Sequence, residues 1–172
     1  MTDTIRLFDI LLSGLALIAL APVFVVVMIA LRLTGEGEVF YRQMRVGKGG
    51  RLFGLLKFVT MRKDSENTGS ELLTIKNDPR VLPLGRILRK IKINELPQLV
   101  NVFMGDMSLI GWRPLVKQHF EMYPEQARQA LSRGTPGLSG IGSIVFRDEE
   151  SILERAADKK LFYQHVITPY KG

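Results

Sequence analysis

From Ile10 to Leu31 the chain carries no charged residue, and Pro22 stands near the middle of that run. No other feature narrows the outcome as far, because it sets the solvent in which the N-terminal segment folds. As a helix the run would rise about 33 Å, enough to cross a hydrocarbon core of about 30 Å. Proline removes a helical donor and strips the Ile18 carbonyl of its usual partner, so in lipid the segment must bend there or find another partner. Arg6 precedes the run, while Arg32, Arg42, Arg45, Lys48 and Arg51 follow it. Basic flanks mark the cytoplasmic side, and both flanks are basic here, the first weakly. Two readings fit: a helix that enters, breaks at Ala21-Pro22 and returns to the same face, or a kinked single span. A cleavable signal fits poorly, since the run continues past Ala19-Leu20-Ala21 and the leading residues include Asp3 and Asp9 rather than a basic cluster.

Residues 36–172 amount to one domain of ordinary size. Cysteine is absent, which excludes disulfides and thiolate metal sites. His119 and His165 lie far apart and match no zinc spacing. A net charge of +7 calls for an anionic partner. Beside a membrane segment, anionic lipid and a phosphorylated substrate are the expected ones. Aromatic residues do not interleave with basic ones as in a single-strand platform, so nucleic acid is not expected.

Along the domain, residues 38–63 read as a β-hairpin. Glu38–Val46 and Arg51–Phe58 are its arms and Gly47-Lys-Gly-Gly50 its turn. Residues 64–79 are polar and read as a loop. From Val81 the period becomes helical, with Leu84, Ile87, Leu88 and Ile91 as one apolar stripe. Arg80, Arg86, Arg89, Lys90 and Lys92 accompany it with no acidic residue between Arg80 and Lys92, the pattern of a basic helix lying on anionic membrane. A second helix follows Pro97 and ends at Gly105; Ser108–Pro114 reads as an extended link; a helix interrupted at Pro124 covers Val116–Ser132. Gly134–Gly142 is a turn-rich stretch able to present amides to an anion, and Asp148–Leu161 reads as a charged surface helix.

Between Lys57 and Arg113 the cations Lys57, Arg80, Arg89 and Arg113 lie beside two candidate metal ligands, Glu95 and Asp106. Phosphoryl transfer needs this inventory: guanidinium groups for phosphate oxygens and a hard carboxylate for Mg²⁺. Ordinary surface ion pairs are the other reading of the same residues.

Six segments then occur in one order: Lys57-Phe-Val-Thr-Met61, Asn77-Asp-Pro-Arg80, Leu84-Gly-Arg-Ile-Leu-Arg89, Asn94-Glu-Leu-Pro-Gln-Leu-Val-Asn101, Gly105–Pro114 and Pro136-Gly-Leu-Ser-Gly140. Over nearly its whole length the chain resembles the bacterial sugar transferase family, the small monotopic phosphoglycosyl transferases. The resemblance implies transfer of a phosphosugar from a UDP-sugar to polyprenyl phosphate, with release of UMP and with Mg²⁺. It places that activity at the cytoplasmic face of the bacterial inner membrane, initiating a glycan that downstream glycosyltransferases extend. It also implies a proline-broken re-entrant helix, here at Ala21-Pro22, where alanine replaces the family's usual serine. Glu95 matches the metal-binding member of a catalytic Asp-Glu pair, with Asp106 as a second candidate ligand. Lys57, Arg89 and Arg113 match family cations, and Arg80 and Arg147 join them as phosphate-binding candidates. Trp112 stands where proline is usual.

The fold class expected is therefore α+β. A re-entrant membrane helix (1–35) packs on a small, mainly helical cytoplasmic domain (36–172) with a short β-hairpin and interfacial amphipathic helices. By the same resemblance the chain stops short of a further C-terminal segment and helix. The main departure is Asn94, at the position of the family's nucleophilic aspartate. A carboxamide is a poor nucleophile, which leaves attack by Glu95, direct displacement by the lipid phosphate, or a non-catalytic protein that binds lipid phosphate or a partner.

Overall fold

One helix takes the whole apolar run. In the computed structural model, which describes residues 3–34, 36–66 and 78–140, α1 spans Asp3–Thr34 and carries Pro22 within it. It is the one described helix long and apolar enough to cross a membrane. Its buried residues are Asp9, Ser13, Val27 and Leu31, spaced so that all four share a face. The opposite face leaves Leu11, Leu15, Ile18, Val26 and Leu33 uncovered.

The hairpin forms as its pattern predicts. β1 (Phe40–Val46) and β2 (Leu52–Phe58) pair antiparallel, with Phe40 opposite Phe58 and Val46 opposite Leu52. A turn at Lys48–Gly50 joins them. A two-stranded sheet leaves both outer edges unpaired, and Asn101 answers part of that need on β2. Its Oδ1 accepts from the Leu56 amide (2.9 Å), and its Nδ2 donates to the Gly54 carbonyl (2.9 Å). One carboxamide thus stitches α3 (Gln98–Met104) to the sheet.

α2 (Pro83–Lys90) precedes α3, with Pro83 in its first turn. The expected stripe divides: Leu88 is buried and Leu84 packs beside it, whereas Ile87 and Ile91 remain more than half exposed. The four residues subtend a wide arc, and the domain takes only one side of it. Gly85 lies inside that contact, where a Cβ would strike the Thr60 carbonyl. A short parallel pair, β3 (Ser108–Ile110) with β4 (Gly137–Ser139), completes the sheets. β4 falls in the stretch read as a turn-rich, amide-presenting segment; there the Gly137 amide is spent on the Trp112 carbonyl (2.8 Å). α4 (Lys117–Glu121) and α5 (Glu125–Arg133) divide at Pro124 as expected. The predicted helix over 148–161, and most of the loop over 64–79, lie outside the described residues.

Two apolar clusters organise the packing. Val27 and Leu31 of α1 meet Phe58 and Leu88, with Phe24 against Phe58 at a centroid separation of 5.3 Å. Leu55, Val102 and Met107 form the second, between β2 and α3. The first half of α1 docks by polar contacts instead. Arg6 donates to the Val102 and Phe103 carbonyls (both 2.6 Å), and Asp9 Oδ1 accepts from the Leu109 amide (3.0 Å).

Candidate active site

The alternation of β2 decides where Lys57 goes. Phe58 is 1% exposed in the apolar cluster, so Lys57, its neighbour, points to the other face. Opposite β1 residues of that face include Tyr41 and Arg45, which register against Lys57 and Phe53.

Glu95 arrives by a sharp reversal. After α2 the chain passes through Lys92 at φ 60°, ψ 12°, the described residues' one non-glycine in the left-handed region. Such a conformation stores about 1–3 kcal/mol in a non-glycine residue and concentrates at functional sites. It opens the 3₁₀ turn Ile93–Glu95, with Asn94 buried inside it. Pro97 then begins α3, and Gly105, at φ 96°, ends it.

Arg113 is brought in by the segment after β3. Gly111 lies so close to the Thr135 and Gly137 backbones that no side chain would fit. Trp112 bridges to Pro136, and its indole donates to the Gly134 carbonyl (3.3 Å). Arg113 Nη2 then meets Glu95 Oε1 at 3.4 Å, with the two side chains 33% and 23% exposed.

Electrostatics make this a cluster out of balance. Burial pushes the Lys57 ammonium down to about 7; Glu95 favours its charge, while Arg45, Arg113 and Arg89 oppose it. Burial alone would push the Glu95 carboxyl up, but Arg113, Lys57 and Lys92 together hold it below its ordinary range. One ionised carboxylate therefore sits among Lys57, Arg45, Arg89 and Arg113. Such a surplus suits a polyanion such as a diphosphate.

The predicted residues divide accordingly. Lys57, Arg89, Asn94, Glu95 and Arg113 come together. Arg80 is engaged elsewhere: its Nε and Nη2 bind the carboxylate of Asp78 at 2.7–3.1 Å. Asp106, expected as a second metal ligand, is exposed and accepts from Asn101 Nδ2 (3.1 Å). It flanks the far end of α3, which rises about 10 Å from the end that carries Glu95. Arg147 lies outside the described residues. Ala21 and Pro22 are exposed on α1. Arg45 was not expected; its period-two spacing from the face of Lys57 was the available signal.

For a divalent cation, no group of three or more acidic, histidine or cysteine side chains forms among the described residues. Glu95 nonetheless fits Mg²⁺, which commonly takes one or two carboxylates and completes its shell with substrate phosphate and water. Asn94, next to Glu95 in sequence, has its Oδ1 buried without a hydrogen-bond partner. Between Lys57, Arg45, Gln98, Arg113 and Leu138 the remaining cavity is only ≈ 10 Å³, about one water's room.

A family model described as bacterial sugar transferase matches residues 2–169. The exopolysaccharide production protein ExoY of Sinorhizobium fredii is 37% identical over 88% of this chain and 73% of its own length. The UDP-glucose:undecaprenyl-phosphate glucose-1-phosphate transferase of Klebsiella pneumoniae is 36% identical over 92% of this chain, which is 34% of that longer protein. The undecaprenyl-phosphate galactose phosphotransferase of Salmonella typhimurium is 35% identical over 84% of this chain and 33% of its own length.

Proposed function

The chain belongs to the bacterial sugar transferase family, and from that premise we propose that it moves a sugar 1-phosphate from a UDP-sugar to a polyprenyl phosphate, releasing UMP. The observation that carries the proposal is the single carboxylate, Glu95, held ionised within a surplus of cations. The product would initiate a glycan such as exopolysaccharide, as the name of the Sinorhizobium relative suggests. The binding-only alternative is not favoured by relatives that carry transferase names.

The chemistry we propose is direct displacement. An oxygen of the lipid phosphate attacks the sugar-bearing phosphorus of the donor; the bond from that phosphorus to the bridging oxygen breaks; UMP leaves with the electron pair. The lipid phosphate is already an anion and requires no general base. Lys57, Arg89 and Arg113 are placed to take phosphate oxygens, and alignment with charge neutralisation does the rest. Glu95 would hold Mg²⁺, which would neutralise diphosphate charge when bound. Asn94 offers no negative charge for attack on phosphorus, and Glu95 is assigned to the metal, with Arg113 at 3.4 Å beside it.

For the membrane, the reading is a re-entrant helix bent at Pro22 with both ends on the cytoplasmic face of the inner membrane. Contacts at both ends of α1 support it: Arg6 and Asp9 near the start and Val27 and Leu31 near the end reach the same domain, while Ile18 stays 75% exposed. A straight span would leave its first turns about 30 Å away across the bilayer. Ile87 on α2 and Ile91 just after it, exposed among Arg86, Lys90 and Lys92, suit an anionic interface.

The test is UMP release from UDP-sugars by the full chain in nanodiscs, with and without polyprenyl phosphate and Mg²⁺. Release is expected to require both and to vanish in Glu95→Ala. Direct displacement further expects no exchange of labelled UMP into UDP-sugar without the lipid acceptor, and exchange appearing in Asn94→Asp. Turnover that survives Glu95→Ala sinks the site; acceptor-free exchange in the wild type sinks direct displacement alone.

A further inference from the structure

Helix α1 grips the two segments that deliver Glu95 and Arg113, and it does so with the polar side chains of an otherwise apolar helix. Arg6 donates through both terminal nitrogens to the carbonyls of Val102 and Phe103, in the last turn of α3. Both lie among the last carbonyls of the helix, where its dipole is negative, and the Val102 carbonyl also accepts from the Gly105 amide (3.1 Å). Three residues on, and on the same side of α1, Asp9 is 3% exposed and takes the Leu109 amide on Oδ1. Ser13, fully buried, donates to the Asp9 carbonyl (2.5 Å). Gly14 lies against the Phe103 ring, close enough that an added Cβ would touch it at 3.4 Å.

What these anchors hold matters more than the contacts themselves. α3 has only seven residues, so securing its last turn fixes the direction of the whole rod. Glu95 stands just ahead of its first turn. Leu109 lies in β3, four residues before Arg113, and that strand is held on its other side by β4. The Arg6 and Asp9 contacts therefore bracket the turn at Asp106–Met107 and fix, from one rigid helix, the two elements whose ends meet at the 3.4 Å Glu95–Arg113 contact. Asp9, at 3% exposure, has no water as a substitute partner.

We infer that Arg6 and Asp9 are positioning residues for phosphosugar transfer, linking the seating of α1 in the bilayer to the spacing of Glu95 and Arg113. The inference rests on the transferase reading for its kinetic consequence, though not for the linkage itself. A misplacement of about 1 Å costs about a hundredfold in an aligned displacement. Arg6→Gln and Asp9→Leu should each lower kcat by about ten- to a hundredfold, with the KM for UDP-sugar nearly unchanged. Arg6→Lys should recover only part, since an ammonium is a point donor and cannot span two carbonyls as the guanidinium fork does. Asp9→Asn should recover nearly all, because its Oδ1 still accepts from Leu109 and its amide nitrogen replaces an oxygen that has no partner.

The decisive experiment pairs this kinetic series with amide hydrogen exchange over residues 93–113, on the full chain in nanodiscs containing anionic lipid. Faster exchange at Leu109 and in α3 of Arg6→Gln and Asp9→Leu, together with a fall confined to kcat, is the expected result. Unchanged exchange overturns the linkage even if no UMP is ever released, so it fails separately from the transferase reading. Faster exchange with unchanged kcat in an active enzyme overturns the positioning role. An Asp9→Asn as impaired as Asp9→Leu overturns the assignment to the Leu109 hydrogen bond.

Discussion

Asp78 with Arg80 and Glu95 with Arg113 are both carboxylate–guanidinium pairs, yet one is closed and the other is outnumbered. Asp78 is 2% exposed at its side chain and is bound through both oxygens by Arg80. Glu95 has a single contact at 3.4 Å and faces Arg113, Lys57 and Lys92 at once. The difference separates structure from chemistry. A pair whose charges answer each other braces the turn into α2, whereas a surplus of buried positive charge is costly until an anion arrives.

Lys57→Met breaks this contrast at its strongest point and carries the largest expected effect. Loss of one preorganised cation at a developing negative charge should reduce transfer by about a hundred- to a thousandfold. Thermal unfolding of the ligand-free protein should nevertheless move upward, because an apolar side chain replaces a charge that burial disfavours. A melting temperature that falls along with activity would show Lys57 to be part of the scaffold.

Asp78→Asn tests the closed pair and should do the reverse. Neutralising Asp78 removes the charge that Arg80 answers, at about 2–3 kcal/mol once the 19% exposure of Arg80 is allowed for. In a chain of this size that is a drop of several degrees in melting temperature. Below the transition, transfer should stay within about twofold of wild type, since Arg80 is bound to Asp78 and the pair's charge reaches the site at a distance, through Arg89. Activity lost at full folding would return Arg80 to the phosphate site.

In sequence these clusters look alike, and that limits how much of the site could be read. The hairpin was legible because its alternation is local, and α3 because Leu96, Leu99, Val100 and Phe103 keep helical spacing up to Gly105. The order of motifs carried Lys57, Arg89, Glu95 and Arg113. What sequence did not show were partners distant along the chain. β3 and β4 are three residues each, too short for a period, and they pair between Gly-rich stretches far apart. That Asp106 lies at the far end of α3 from Glu95 follows from the length of that helix, which no local pattern displays. Ile87 and Leu84 belong to one helical stripe, and only the position of the domain decides which of them stays exposed.

The smallest effect, and the finest discrimination, is in pH. Hydrogen bonding to Arg80 holds the Asp78 carboxyl below its ordinary range. The unfolded chain therefore takes up that proton first, and the pair's contribution, complete above about pH 4, is lost as acid carries the pH down through the folded value. Lys57 acts on the opposite limb. Its folded value of about 7 lies below that of a free lysine, so between pH 7 and about 10 the unfolded state binds more protons, and stability rises with pH. Melting curves of the ligand-free protein should thus climb from pH 7 to 9, and that slope should disappear in Lys57→Met but persist in Asp78→Asn. Added UMP should flatten it too, because a bound phosphate restores the charge on Lys57 and raises its proton affinity. A slope that ignores both UMP and Lys57→Met would mean that the surplus charge is not what the site holds ready for its anion.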